Sequence, residues 1–165
     1  MKYKSVFLFL LLTLSCSAQN DYSTSLKDKF KLTYMYAGLG SGMGSKQPVL
    51  RVKGINYLYT LEQNSYYGEK TLEPDTICSG TLRQASIDSI IELTKSLGDT
   101  LVYNTNSSVM SGGIHEIIIS HTEIDLTFRL HNASDPIAEK IVAILNSNLP
   151  VEVRKLWLFN LVENE

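Results

Sequence analysis

Residues 114–130 read IHEIIISHTEIDLTFRL, and their pattern is typical of two consecutive β-strands. Apolar and polar residues alternate strictly over 123–130, which is the pattern of a strand with one buried face. Residues 114–120 are rich in isoleucine, and their composition is also typical of a strand. Because only residues 121–122 separate the two arms, the sequence predicts a β-hairpin.

The region before the hairpin predicts further strands and one helix. Four stretches with strand composition lie there: residues 29–36, 48–53, 55–62 and 76–82. Apolar residues then recur at spacings of three and four over 83–97, which predicts an amphipathic helix that stops near Gly98. Residues 101–103 fit either a short strand or a loop.

A second helix follows the hairpin. Asp135 suits the N-cap and Pro136 the first helical turn, and the helix should end before Pro150. The order is therefore β-β-β-β-α-β-β-α. We expect an α+β domain, with a largely antiparallel sheet of about six strands and two helices packed on one face.

The N-terminal residues predict export. Lys2 and Lys4 precede an apolar run at 6–14 and small residues at 15–18, which are the three parts of a secretory signal. A membrane-spanning helix needs about 20 apolar residues, roughly twice this run. We therefore expect residues 1–18 to be a signal peptide.

Two cleavage positions remain open. A general signal peptidase would cut after Ala18. Alternatively, residues 14–16 (LSC) resemble a bacterial lipoprotein box, although Thr13 stands where that box has leucine. Cys16 would then be the lipidated N-terminus, several acyl chains would hold the protein on a membrane, and residues 19–28 would form a polar tether.

Composition predicts one ordinary domain, residues 29–165, without a nucleic-acid partner. The chain has 15 basic and 17 acidic residues; removing Lys2 and Lys4 with the signal peptide leaves 13 basic residues and a formal charge of −4. A mildly acidic domain makes no electrostatic case for nucleic acid. Only Cys78 remains as a thiol, and we expect it to be buried and inert, the alternatives being a reactive thiol or an intermolecular bridge.

No stretch predicts a cofactor site or a catalytic residue. The glycine-rich residues 38–46 lack the spacing of a phosphate-binding loop and are expected to connect two strands. His121, Glu123 and Asp125 would share the solvent face of a continuous strand and could bind a metal there, but a turn at His121 would break that alignment. We therefore expect neither a metal nor a cofactor.

The tail, residues 151–165, is unusually apolar, with Trp157 and Phe159 among its large side chains. We expect it to close the core as a final strand or helix. The alternative is an exposed apolar segment that docks a partner.

The element order over residues 30–149 resembles that of emfourin-like protease-inhibitor domains and of several uncharacterised envelope lipoprotein domains. The resemblance rests on the strand at 30–36 running into 37–40 (AGLG) and on the strand–helix–hairpin–helix order. It departs from the expected glycine pair, because Leu39 separates Gly38 from Gly40. It implies a secreted protease inhibitor as an alternative function and assigns no functional residue.

Together these features predict an exported, membrane-anchored, non-enzymatic domain of the bacterial cell envelope. It would lie on the outer membrane or in the periplasm and bind a protein or another envelope component. A second alternative is an envelope hydrolase whose catalytic site is assembled from distant residues. Its signature would be a deep pocket with His115, His121 or His131 beside a carboxylate or a serine.

The intact mass of the protein purified from its native membrane distinguishes the two cleavage positions. We expect the mass of the chain from Cys16 plus acyl groups, and we expect this species to disappear in Cys16→Ala. A bare mass beginning at Gln19 would contradict lipidation.

Overall fold

A computed structural model describes residues 29–38, 46–63, 73–106, 113–122, 124–153 and 155–156. The segments outside the described residues include the predicted signal peptide with Cys16, the predicted tether, residues 39–45 of the glycine-rich stretch and residues 157–165 of the tail. The predictions for those segments therefore stay predictions.

The described chain forms one seven-stranded sheet and two helices. The strands are β1 (Lys31–Gly38), β2 (Lys46–Lys53), β3 (Asn56–Gln63), β4 (Asp75–Thr81), β5 (Thr100–Thr105), β6 (Gly113–His121) and β7 (Ile124–His131); the helices are α1 (Gln84–Lys95), between β4 and β5, and α2 (Pro136–Asn146). The strand order is β4-β3-β2-β1-β6-β7-β5. All neighbours are antiparallel except β5 and β7, which run parallel.

The α+β class is as predicted, but the sheet has one strand more than the six expected. The additional strand is β5, which contains residues 101–103. Val102 is its only side chain that is even half-buried, so β5 lacks the apolar alternation by which the other strands are recognised. Its pairing with β7 depends on residues about 26 positions away in the chain, which local sequence does not reveal.

The predicted hairpin is present as β6 and β7. Its register runs from Ile114 opposite His131 to His121 opposite Ile124. Thr122 adopts a positive φ of 51° at the turn between them. Because paired residues of an antiparallel ladder lie on the same face, this register sets which side chains of both strands are buried.

Both helices pack on one face of the sheet, which we call the inner face. The core joins inner-face side chains to one stripe from each helix: Leu32, Tyr34, Leu50, Tyr59, Ile117, Leu126 and Phe128 with Ile87, Ile90, Ile141 and Leu145. The opposite, outer face carries no helix in the described part of the chain.

The two helices begin in different ways. In α2 the Asp135 carboxylate accepts hydrogen bonds from the backbone amides of Ile137 and Ala138, at 2.8 and 3.0 Å. In α1 the N-cap residue is Arg83, and its side chain forms no capping hydrogen bond with the helix amides. Instead, Asn148 accepts a hydrogen bond from the Arg83 amide at 3.0 Å, so the end of α2 binds the start of α1.

The Asp135 cap should be measurable in stability. We expect Asp135→Ala to lower the free energy of unfolding by about 1 kcal/mol, because two helix amides lose their acceptor. Urea unfolding at neutral pH measures the loss. Asp135→Asn keeps an acceptor oxygen and should retain most of the stability; equal losses in the two variants would contradict a capping role.

Candidate functional site

The outer face of β6, β7 and β5 carries an open groove. Strand register brings two rows of side chains together there: Glu116–Arg129–Tyr103 and Ile118–Thr127–Leu101. The groove encloses about 560 Å³, and its lining includes Asp99, Leu101, Glu116, Ile118, Asp125 and Arg129. We refer to it as the outer groove.

Large apolar side chains are exposed in and beside the outer groove. Leu101 and Tyr103 are each 61% exposed, and Ile118 is 39% exposed. Their alternation places all three on the outer face, with Ile118 on β6 and the other two on β5, separated by one strand, β7. Contiguous apolar exposure of this kind marks binding surfaces more often than scattered exposed residues do.

The charges of the outer groove are unevenly paired. Arg129 donates to Glu116 Oε1 from Nε at 3.0 Å and from Nη2 at 2.6 Å, so these two charges neutralise each other. Asp99 Oδ1 accepts a hydrogen bond from the backbone amide of Asp125 at 2.6 Å. Within the described ranges, neither Asp99 nor Asp125 forms an ion pair with a cation. The groove therefore combines an apolar surface with two uncompensated carboxylates.

The β2–β3 half of the outer face is organised differently. Arg51 forms a bidentate ion pair with Glu62, with Nη2 at 2.9 Å from Oε2. Thr60 donates a hydrogen bond to Glu62 Oε1 at 2.7 Å. The hydrogen bond from Arg51 holds the pKa of Glu62 below its ordinary value. The charges of this network pair with each other. A charged partner would therefore find fewer unpaired charges here than in the outer groove.

A second groove lies between the helices on their solvent side. It encloses about 570 Å³ and is lined by Ser89, Glu92, Leu93, Lys140, Ala143 and Ile144. Leu93 and Ile144 are half-buried against the core, and Glu92 and Lys140 are exposed. Unlike the outer groove, it exposes no large apolar side chain among its described lining residues, and its carboxylate, Glu92, pairs with Lys95.

The three residues considered for a metal do not share a face. The turn at Thr122 ends β6, and the register pairs His121 with the inward-facing Ile124, so His121 is buried on the inner face. Asp125 is exposed on the outer face, and Glu123 lies outside the described residues. The shared solvent face required a continuous strand; the turn at Thr122 interrupts the strand and shifts the alternation, so His121 and Asp125 lie on opposite faces. No group of three potential metal ligands occurs among the residues that the structure describes.

His115 lies in the core between two tyrosines. Tyr34 Oη is 3.1 Å from His115 Nδ1, and the Tyr36 ring centroid is 4.8 Å from that of the imidazole. The Tyr36 ring covers Gly113, where a Cβ atom would collide with it, so glycine at this position permits the stack. Burial lowers the pKa of His115 to about 4, and the ring is therefore neutral at physiological pH.

The other two histidines contact threonines. His121 Nε2 is 3.3 Å from Thr94 Oγ1, and burial lowers the pKa of this imidazole as well. His131 Nδ1 is 3.3 Å from Thr105 Oγ1. These contacts lack the carboxylate or serine partner that the hydrolase alternative requires.

Cys78 lies half-buried in β4, close to Tyr57, and is a free thiol. Burial raises its pKa, which favours the protonated and unreactive form at neutral pH. This environment agrees with the inert thiol expected from the sequence rather than with a nucleophile.

Sequence reasoning missed the outer groove. Its charged residues come from two regions: Asp99 precedes β5, whereas Glu116, Asp125 and Arg129 lie on the hairpin. Only the non-local pairing of β5 with β7 brings them together. The one local signal of an apolar surface is the spacing of Leu101 and Tyr103, two residues apart in a short uncharged stretch.

No family model matches the sequence, and no curated protein matches it significantly. The resemblance to emfourin-like domains accordingly stays a prediction. In the described ranges, neither helix is long and apolar enough to cross a membrane.

The buried His115 predicts acid-sensitive stability. Its pKa is about 4 in the folded protein and near 6.5 when unfolded, so the unfolded chain binds more protons between these values. Stability should therefore fall as the pH drops through this range, by about 2 kcal/mol between pH 7 and pH 5. Urea unfolding at both pH values measures the loss.

His115→Leu serves as the matched variant for this pH dependence. The substitution removes the titrating ring. Most of the difference in the free energy of unfolding between pH 7 and pH 5 should therefore vanish, even if the variant is less stable than the original protein at both pH values. An unchanged difference would show that another group causes the acid sensitivity.

Proposed function

We propose that this protein is an exported, membrane-anchored, non-enzymatic domain that binds another protein of the cell envelope through the outer groove. The observation that carries the binding role is the exposure of Leu101, Tyr103 and Ile118 on a sheet face that no described helix covers. Support for export and anchoring comes from the N-terminal basic head, the apolar run and Cys16.

The chemistry of the outer groove favours one kind of partner. Its apolar side chains match an apolar anchor, while Asp99 and Asp125 match a basic side chain beside that anchor. The same carboxylates disfavour an anionic lipid surface, because like charges repel. A protein segment that presents an apolar residue next to lysine or arginine meets both requirements.

The two alternative functions, protease inhibitor and hydrolase, make different demands on the structure. The secreted protease inhibitor is a separate alternative, because such a protein would be released rather than anchored, although its protease could bind the same surface. The hydrolase alternative gains no support from His121 and His131, whose side chains contact the hydroxyls of Thr94 and Thr105.

Photocrosslinking in the producing cell tests the binding face. A benzophenone amino acid at Ile118 lies in the outer groove, whereas the same group at Ala85 lies exposed on α1, on the other side of the sheet. We expect a discrete protein adduct from Ile118, identified by mass spectrometry, and none from Ala85. Equal adducts from both positions, or none from Ile118, would overturn the proposal.

A charge variant tests the chemistry of recognition. We expect Asp125→Asn to reduce the adduct from Ile118 several-fold and to weaken its dependence on salt, because a basic partner loses an attractive charge. Asp88→Asn removes one exposed carboxylate from α1 and is the matched control. If both variants behave alike, the carboxylates of the groove do not select the partner.

A further inference from the structure

Among the described strands, β5 forms one edge of the sheet. The amide of Asn106 donates to His131 O on β7 at 2.9 Å, and backbone groups alternate in direction along a strand. The amides and carbonyls of Leu101, Tyr103 and Thr105 therefore point away from β7. In the described part of the chain, no strand pairs with them.

The two edges of the sheet differ in how they resist strand addition. At the far edge, the pairing of β4 with β3 contains a register shift next to Tyr59, and Lys46 forms an ion pair with Asp75 of β4. Irregular pairing and charge are devices that hinder further pairing. β5, with the sequence TLVYNT, has no charge, no proline and a regular register with β7. This edge lacks the usual protection.

The sequence of β5 is complementary to itself. In an antiparallel pair of two β5 strands centred on Val102, Leu101 lies opposite Tyr103 of the second copy, and Val102 lies opposite Val102. Thr100 then lies opposite Asn104, so apolar residues meet apolar ones and polar residues meet polar ones on both faces. Centring the pair on Tyr103 would instead place Val102 opposite Asn104.

The backbone geometry fits the same register. Leu101 and Tyr103, whose amides and carbonyls face the free edge, become the hydrogen-bonded pairs of the new ladder. Val102 becomes the close, non-hydrogen-bonded pair on the twofold axis. In the pair, Leu101 and Tyr103 of the two copies lie side by side on the outer face, so the second copy covers their flanks while their outward surfaces stay accessible to a partner.

We propose that two copies of this chain associate through β5 in this antiparallel register, forming one continuous sheet. Charge does not oppose the contact, because β5 is uncharged and Asp99 falls opposite Thr105. In this register, outer-face residues of one copy pair with outer-face residues of the other. The two outer grooves therefore lie side by side on the same face of the continuous sheet. The inference goes beyond the proposed partner binding, and either can fail without the other.

The size of the contact sets its strength. Six residues from each copy form an interface below the roughly 1,200–2,000 Å² typical of stable complexes, so the dimer should be weak in solution. Anchoring of both copies to one membrane would raise their effective concentration without any new contact.

Disulfide trapping tests the dimer and its register. In an exported chain that carries Cys16→Ala and Cys78→Ala, Val102→Cys places two thiols across the twofold axis, where Cα atoms of a close pair are about 4.5 Å apart. Asn104→Cys is the matched control, because residue 104 lies on the same face as residue 102 and is more exposed. In the proposed dimer, however, the two copies of residue 104 are separated by about four residues along the strands. We expect Val102→Cys to form the covalent dimer at least about tenfold faster under mild oxidation. Equal rates, a faster Asn104→Cys, or no dimer from Val102→Cys would overturn the proposal.

Sedimentation of the chain without cysteine substitutions provides an independent measurement. We expect a monomer–dimer equilibrium between micromolar and millimolar concentration, and its loss in Tyr103→Pro. Proline there removes an amide that faces the free edge and leaves the ladder to β7 intact. A chain that stays monomeric over the whole range, or a Tyr103→Pro variant that associates as before, would contradict the inference.

Discussion

Burial of the inner face of the sheet against α1 and α2 determines where the remaining side chains of the sheet point. Because strand side chains alternate, fixing Ile117 and Phe128 in the core also fixes Glu116, Ile118 and Arg129 on the outer face. Each large apolar side chain buried completely contributes about 1.5–3 kcal/mol, so a slip of one residue would be very costly. The orientation of the groove residues on β6 and β7 is thus a consequence of core packing.

The same packing explains how two histidines are accommodated inside. His115 lies against Tyr34 and Tyr36, and His121 lies against Thr94 of α1. A buried imidazole is tolerated when it is neutral and has polar neighbours, and both environments lower its pKa. At neutral pH the uncharged rings pack in the core. In acid their protonation favours the unfolded chain and lowers the stability of the fold. Their position on the inner face also keeps them away from the outer groove, so the proposed binding does not depend on their chemistry.

Much of the fold was predictable because its signals are local. The alternation in β1 and β7, the spacing of apolar residues in α1 and the Asp135–Pro136 start of α2 each identify an element directly from neighbouring residues. Residues 101–103 fit a strand or a loop equally, because an edge strand with one half-buried side chain has little periodicity. The face on which His121 lies depends on the position of the hairpin turn, and the turn at Thr122 puts His121 and Asp125 on opposite faces. The candidate site could not be predicted, since it exists only after β5 pairs with β7.

A partner bound to the outer face of β6, β7 and β5 should protect these strands. Amide hydrogen exchange, measured for the protein in its native membrane and again after purification, detects such protection. We expect slower exchange in the membrane for residues 100–105 and 114–130, with residues 84–95 and 136–146 unchanged. Protection confined to the two helices, or no difference between the two preparations, would contradict binding at this face.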